Sequence, residues 1–396
     1  MHTRANSQAT TMVEKRQVPW RRWTALACAV LAFPLLLLGA AAAFVTQDYL
    51  HFIFTFILGD PQAFGALMLL SSALLSAIAL WLLRAPVVAP TLRSTVAAFA
   101  AVAVCALGVS MVRVRLEYST ERVVYTSGEG ANAVQLVATL YRPRGQGPFP
   151  AVIFVHGSET TPRSRYHGFA ERFVKQGYAV LLSDRRGLGE SGGVFVKPVS
   201  DSMLATLAGD VAAGAHFLES HAEVDSARTG LFGVSQAGWV IPLVFPKAPT
   251  VSFAVIMSGP AVSLGEEDRF SRSSGEEGDH FGWKPPPIPF DSINAIVQAT
   301  HSSGYEPDSS LRAMHIPTFW VYGSWDNSIP VAKSVQKLDS LVAQGSPITV
   351  QVFPEGNHGL FVMRGPNKRL LPYYPDDLWT TIFSWIQRRP RMALGV

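Results

Sequence analysis

The chain has 396 residues, 33 Lys and Arg against 29 Asp and Glu, and a hydrophobic share of 48%. That length admits more than one domain. Much of the small positive excess sits near the N-terminus (Arg4, Lys15, Arg16, Arg21, Arg22), so no basic stripe remains elsewhere and a nucleic-acid partner is disfavoured. The two cysteines, Cys28 and Cys105, both lie in apolar runs, which excludes a disulfide framework for the C-terminal part of the chain.

The apolar excess is concentrated in residues 1–115. Three uncharged runs, near 24–45, 63–83 and 94–112, have the length and composition of transmembrane helices. The first also has the form of a secretory leader, with basic residues before it and alanines at its end; the two runs that follow favour a span. Between the first two lies Tyr49–Leu58, too short to cross and rich in interfacial aromatics. Lysine and arginine placement predicts a cytoplasmic N-terminus, and three spans then carry the C-terminal domain outside the cytoplasm. Arg113 and Arg115 pull weakly the other way. The runs contain no Asp, Glu, Lys or Arg that would mark a transport path, so this region reads as an anchor in the lipid bilayer.

From 116 to 396 the pattern changes to alternation of strand and helix. Arg122–Tyr125 and Val134–Tyr141 flank a Ser-Gly-Glu-Gly-Ala-Asn turn and predict a hairpin. Ala151–Val155 is an uninterrupted apolar run suited to a strand buried on both faces. Further strands are expected at 179–183, 229–234, 253–257, 318–322 and 349–353, with helices at 163–176, 203–221, 239–245, 331–343 and 376–388. Such alternation predicts an α/β fold with a mostly parallel, doubly wound sheet, and reactive groups then gather at the carboxyl ends of the strands. The segment 261–315, rich in Ser, Gly, Glu and Pro, interrupts the alternation as either a lid or a surface excursion.

Thr229–Trp239 reads as a buried strand running through Ser235 into an apolar helix. A serine at such a turn has its hydroxyl pushed out beside the positive end of a helix. Gly233, Ala237 and Gly238 supply the small residues the turn needs. This stretch resembles the nucleophile elbow of the α/β-hydrolase family, and the resemblance extends from about Glu121 to Arg388. Ala237 stands where the usual motif has its second glycine, with Gly238 one place later. Asp184-Arg-Arg-Gly-Leu-Gly-Glu-Ser191 resembles a second segment of the same family.

The resemblance implies an α/β-hydrolase fold with a cap near 261–315, no cofactor, and a triad delivered in the order Ser, acid, His. Following that order, Ser235 is the expected nucleophile, His358 the general base and then acid, and Asp326 the group that fixes the imidazole tautomer. Asp326 and His358 each follow a predicted strand, in Tyr322-Gly-Ser-Trp-Asp326 and Phe353-Pro-Glu-Gly-Asn-His358. The expected oxyanion donors are the backbone N–H groups of Gln236 and of Ser158, the latter in His156-Gly157-Ser158. His156 reads as structural, Asp184 as a loop builder, and Trp239 and Trp325 as core or acyl-pocket residues. The other histidines (His167, His216, His221, His280, His301, His315) show no metal-ligand spacing, so no metal is expected.

The function implied is a membrane-anchored serine hydrolase taking a small ester or acyl substrate. Two alternatives stand beside it. One is a peptidase resembling the catalytic half of the prolyl oligopeptidase group, without that group's N-terminal propeller. The other is a non-catalytic interaction protein on a hydrolase fold, against which the complete Ser, Asp, His set argues. Oligomeric state and acyl preference have no signature in the sequence.

Overall fold

The structure is a computed structural model that describes residues 23–24, 27–37, 61–82, 90–197, 199–276, 287–299, 303–362 and 373–388. The chain divides into two compact units, Met1–Glu117 and Tyr118–Val396.

The N-terminal unit contains helices at 27–37, Pro61–Leu82 and Pro90–Glu117. Among the described residues no helix is long and apolar enough to cross a membrane. The fully described stretch of the second helix, 66–80, falls short of the roughly 20 apolar residues a bilayer core requires. The three spans expected at 24–45, 63–83 and 94–112 are therefore not supported here. Tyr49–Leu58 lies outside the described residues. Burial in this unit is mixed: Leu36 and Leu69 are buried with Ala103. Ser72, Ser76 and Ala79 are fully buried, while Leu67, Leu70 and Leu74 are more than half exposed. The Ser72 hydroxyl donates across the helix pair to the Ala32 carbonyl at 2.8 Å.

The C-terminal unit is built on one eight-stranded sheet: β1 (Tyr118–Ser127), β2 (Val134–Pro143), β3 (Phe149–Val155), β4 (Ala179–Ser183), β5 (Val224–Val234), β6 (Ala254–Met257), β7 (Thr318–Gly323) and β8 (Ile348–Phe353). Their order is β1-β2-β4-β3-β5-β6-β7-β8. The predicted hairpin pairs β1 with β2 from Tyr118↔Pro143 to Ser127↔Val134, and β2 also runs antiparallel to β4. Every other pairing is parallel. This is the α/β-hydrolase arrangement.

The strands are apolar throughout because both faces are covered. Along β3 the side chains alternate. Ile153 and Val155 join the core that contains Leu207, Val240 and Ile241. Phe154 points the other way, into an aromatic layer with Phe169 and Phe232, which continues through Phe173 to Trp379 and Phe383. Some predicted boundaries differ, among them the start of β1, which is Tyr118 rather than Arg122. The helix expected at 163–176 is a short 3₁₀ turn, Arg163–Tyr166, followed by the helix His167–Lys175. Strand β5 starts at Val224 rather than 229, because Val224 pairs with Phe149 across a register shift before the regular ladder begins at Thr229. Between β6 and β7 the chain inserts, among the described residues, the short helices Leu264–Ser274, Phe290–Gln298 and Asp308–Arg312.

Candidate active site

Strand β5 ends at Val234, and Ser235 takes a left-handed backbone conformation with φ 53°. Such a conformation costs a non-glycine residue about 1–3 kcal/mol and persists only where its surroundings enforce it. Here the Ser235 N–H donates to the Met257 carbonyl, and the Ser235 carbonyl accepts from Gly238 N–H, both at 2.9 Å. The helix Ala237–Val244 begins at once, so the Gln236 amide stands at its N-terminus.

The packing accounts for the alanine in the motif. A side chain at Gly233 would lie 2.4 Å from the Ala237 methyl and 2.9 Å from Ile241 Cδ1, so the two small residues share one gap. At Gly238 the constraint is backbone: a Cβ would meet the Pro260 carbonyl oxygen at 2.6 Å and Gly259 at 2.7 Å. The strict demand for glycine thus falls one place later than the family pattern.

Asp326 lies in the loop after β7 and is buried, as is expected of a group that must act on one partner only. Its Oδ1 accepts from the Ser328 and Ile329 amides at 2.8 and 2.9 Å. His358, in the loop after β8, places Nδ1 at 3.1 Å and 3.0 Å from the two Asp326 oxygens. The two loops interlock: the Trp325 and Ser324 amides donate to Gly356 and Phe353 carbonyls at 2.9 Å each. Asn357 fixes the histidine turn, its Oδ1 accepting from the Gly359 and Phe361 amides at 3.0 and 2.8 Å. Burial by itself would lower the His358 pKa; the Asp326 charge and hydrogen bond, helped by Glu159 and Glu276, outweigh it and raise the value to about 9. From the insertion comes Glu267, whose carboxyl burial pushes up to about 8 against the opposing pull of the His358 cation. Its helix is tied to the acid loop by the Ser274 hydroxyl, which donates to the Asn327 carbonyl.

The loop after β3 passes beside the serine. A Cβ on Gly157 would lie 3.4 Å from Ser235 Cβ, and Ser158, which follows, is exposed. His156 is structural, as the sequence suggests: Nε2 donates to the Ser183 carbonyl at 2.6 Å. Burial, with the Arg185 charge behind it, lowers its pKa to about 3, so the ring is neutral and carries its proton on Nε2. Asp184 builds the next loop, with Oδ1 accepting from the Arg163 amide at 2.6 Å and Oδ2 from the Glu190 amide at 2.9 Å. Trp239 is buried with its indole N–H on the Val262 carbonyl at 2.7 Å, whereas Trp325 is 43% exposed and is not a core residue.

The structure thus brings Asp326 and His358 into direct contact and passes the Gly157 loop beside Ser235. All the predicted site residues lie beyond the carboxyl ends of β3, β5, β7 and β8. Sequence reasoning missed Asn357 and Glu267, which act through turn geometry and through an insertion whose fold has no periodic signal. It also missed the contacts of Arg185, whose neighbours in sequence drew attention instead.

Comparison with known proteins agrees with this architecture. The chain is 34% identical over 108 residues to the quorum-quenching protein AidA of Acinetobacter baumannii, a match covering 27% of this chain and 34% of that one. It is 25% identical over 288 residues to a monoacylglycerol lipase of Mycolicibacterium smegmatis, covering 65% of this chain and 94% of the lipase. An esterase of Pyrococcus furiosus superposes with a TM-score of 0.50 at 20% identity, over 70% of this chain and 93% of the esterase. Residues 166–373, more than half of the chain, match the Prolyl oligopeptidase family. The chain belongs to the Prolyl oligopeptidase family.

Proposed function

We propose that the protein is a serine hydrolase that cleaves carboxylic esters through an acyl-enzyme on Ser235. The observation that carries the reading is the His358–Asp326 pair, 3.0–3.1 Å apart at the sheet edge where Ser235 stands in its left-handed turn. With Nδ1–H held by the carboxylate, the lone pair of His358 falls on Nε2, the nitrogen that takes the Ser235 proton as the oxygen attacks the substrate carbonyl. The tetrahedral oxyanion is received by the Ser158 and Gln236 amides. The imidazolium then gives its proton to the departing alcohol, and a water activated by the same ring releases the acid. The insertion 261–315 serves as the cap over this site and contributes Glu267 to it.

Membership of the Prolyl oligopeptidase family favours a second reading, an amide bond as substrate. The lipase relative, matched over nearly its whole length, favours the ester. A panel of 4-nitrophenyl esters and matched peptidyl 4-nitroanilides separates them: we expect kcat/KM to be higher for the esters, and faster turnover of the anilides would replace the first reading by the second.

Residues 1–115 are read as a lipid anchor that holds the hydrolase domain outside the cytoplasm. Leu67, Leu70 and Leu74 turned outward with Ser72 and Ser76 turned inward fit helices packed in lipid, where small residues meet and a hydroxyl bonds across helices. The full chain should remain with membranes through a carbonate wash and be cut by protease added to intact cells. Recovery in the soluble fraction removes the anchor, and resistance to the protease reverses the orientation.

A further inference from the structure

Arg185 is buried, yet its guanidinium has no carboxylate hydrogen-bonded to it among the described residues. Nη2 donates to the Gly157 carbonyl, the group lies 4.4 Å over the Phe195 ring, and Nη1 has no hydrogen-bond partner among the described residues. Burial disfavours this cation, and the nearby Glu159 carboxylate offsets part of that cost through its charge alone. Its neighbour Arg186, by contrast, is paired in the ordinary way, with both Asp210 oxygens at 2.7 and 2.5 Å.

The carbonyl that Arg185 holds belongs to the same peptide unit as the Ser158 N–H. In a trans peptide the two point in opposite directions, so a guanidinium on the oxygen fixes where the N–H aims. A cation at the oxygen end also draws electron density toward itself and makes the N–H a stronger donor, an effect that low local polarity enlarges. Gly157 leaves room between the loop and the nucleophile: a Cβ there would lie 2.8 Å from Glu159 Oε2, which would have to move aside, and 3.4 Å from Ser235 Cβ. Neutral His156, bonded to the Ser183 carbonyl, holds the preceding residue of the same loop.

We propose that Arg185 is a positioning residue of the oxyanion hole: through the Gly157–Ser158 peptide it aims and polarises the Ser158 N–H at the charge that develops on the substrate oxygen. The inference rests on the esterase reading above. The contribution belongs to the transition state, so it acts on kcat rather than on substrate binding.

The test compares wild type, Arg185→Met and Arg185→Lys on a 4-nitrophenyl ester, together with inhibition by a trifluoromethyl ketone, whose serine adduct carries the oxyanion. Arg185→Met should lower kcat by about 10- to 100-fold, less than the 10²–10³ of a deleted donor. KM should be unchanged and affinity for the ketone should fall in step with kcat/KM. Arg185→Lys, which keeps a cation on the carbonyl, should recover most of the loss. Undiminished kcat in Arg185→Met, a loss confined to KM, or ketone affinity that does not follow kcat/KM overturns the proposal. So does thermal melting that shows both variants unfolded, since the residue is then structural. Fluorophosphonate labelling of the wild type at Ser235 reports separately on the underlying reading. Its absence, with no ester turnover, removes both, whereas normal labelling beside an unaffected Arg185→Met removes this inference alone.

Discussion

Ser235→Ala lowers kcat for a 4-nitrophenyl ester by at least about 10⁴-fold, the loss expected when a nucleophile is taken from a set that acts as a unit. The thermal midpoint stays close to that of the wild type. The turn that holds position 235 is made by backbone bonds, from the Ser235 amide to Met257 and from Gly238 to the Ser235 carbonyl, and both survive the substitution. Ser235 holds its left-handed conformation at φ 53°, and alanine, also carrying a Cβ, meets a similar strain there. The Gln236 and Ser158 amides also remain, so a residual rate above that in water is expected. Steady-state kinetics beside a melting curve checks this. A variant that keeps more than a tenth of the wild-type rate removes Ser235 from the chemistry.

Asp326→Asn lowers kcat by about 10⁴-fold and moves the pH profile downward. An asparagine at 326 keeps its oxygen on the Ser328 and Ile329 amides, which donate to Asp326 Oδ1 at 2.8 and 2.9 Å. It then turns an NH₂ group toward His358 Nδ1. That nitrogen must accept rather than donate, the ring proton moves to Nε2, and the ring no longer has a lone pair for the serine proton. The pH effect has a definite sign. In the wild type the carboxylate outweighs burial and lifts the imidazole pKa to about 9. Only roughly a hundredth of the base is free at pH 7, and kcat/KM rises with pH, is half-maximal near pH 9 and levels about one unit above it. Without the anion, burial dominates and disfavours the charged ring, so the midpoint falls. A kcat/KM profile taken from pH 5 to 10 measures both effects. An unchanged midpoint, or a variant as fast as the wild type, contradicts the pairing.

The sheet was legible because its strands are buried on both faces and so appear as unbroken apolar runs. Ala151–Val155 and Thr318–Tyr322 have this form, and each coincides with a strand to within two residues. The start of β5 was not, since Val224–Arg228 is polar and pairs only through Val224. Asp326 and His358 were found by their place after strands, and the contact between them follows from how the β7 and β8 loops interlock. What orients them was hidden. The Ser328, Ile329, Gly359 and Phe361 amides carry no side-chain signal, and the Arg185 contact is made to a carbonyl. The insertion gave its composition but not its helices: the Ser263–Glu266 capping box is a local signal that was passed over, whereas the Glu266–Lys333 ion pair at 2.6 Å is set by a partner far along the chain. In the N-terminal unit, hydropathy pointed to spans, whereas among the described residues no helix is long and apolar enough to cross.

The central claim is that one hydroxyl, that of Ser235, receives the acyl group. Treating the full-length protein with a fluorophosphonate and mapping the adduct by peptide mass spectrometry tests it most directly. The account predicts a single adduct on Ser235 in the wild type and none in Ser235→Ala; an adduct on another residue, or equal labelling of the variant, contradicts it.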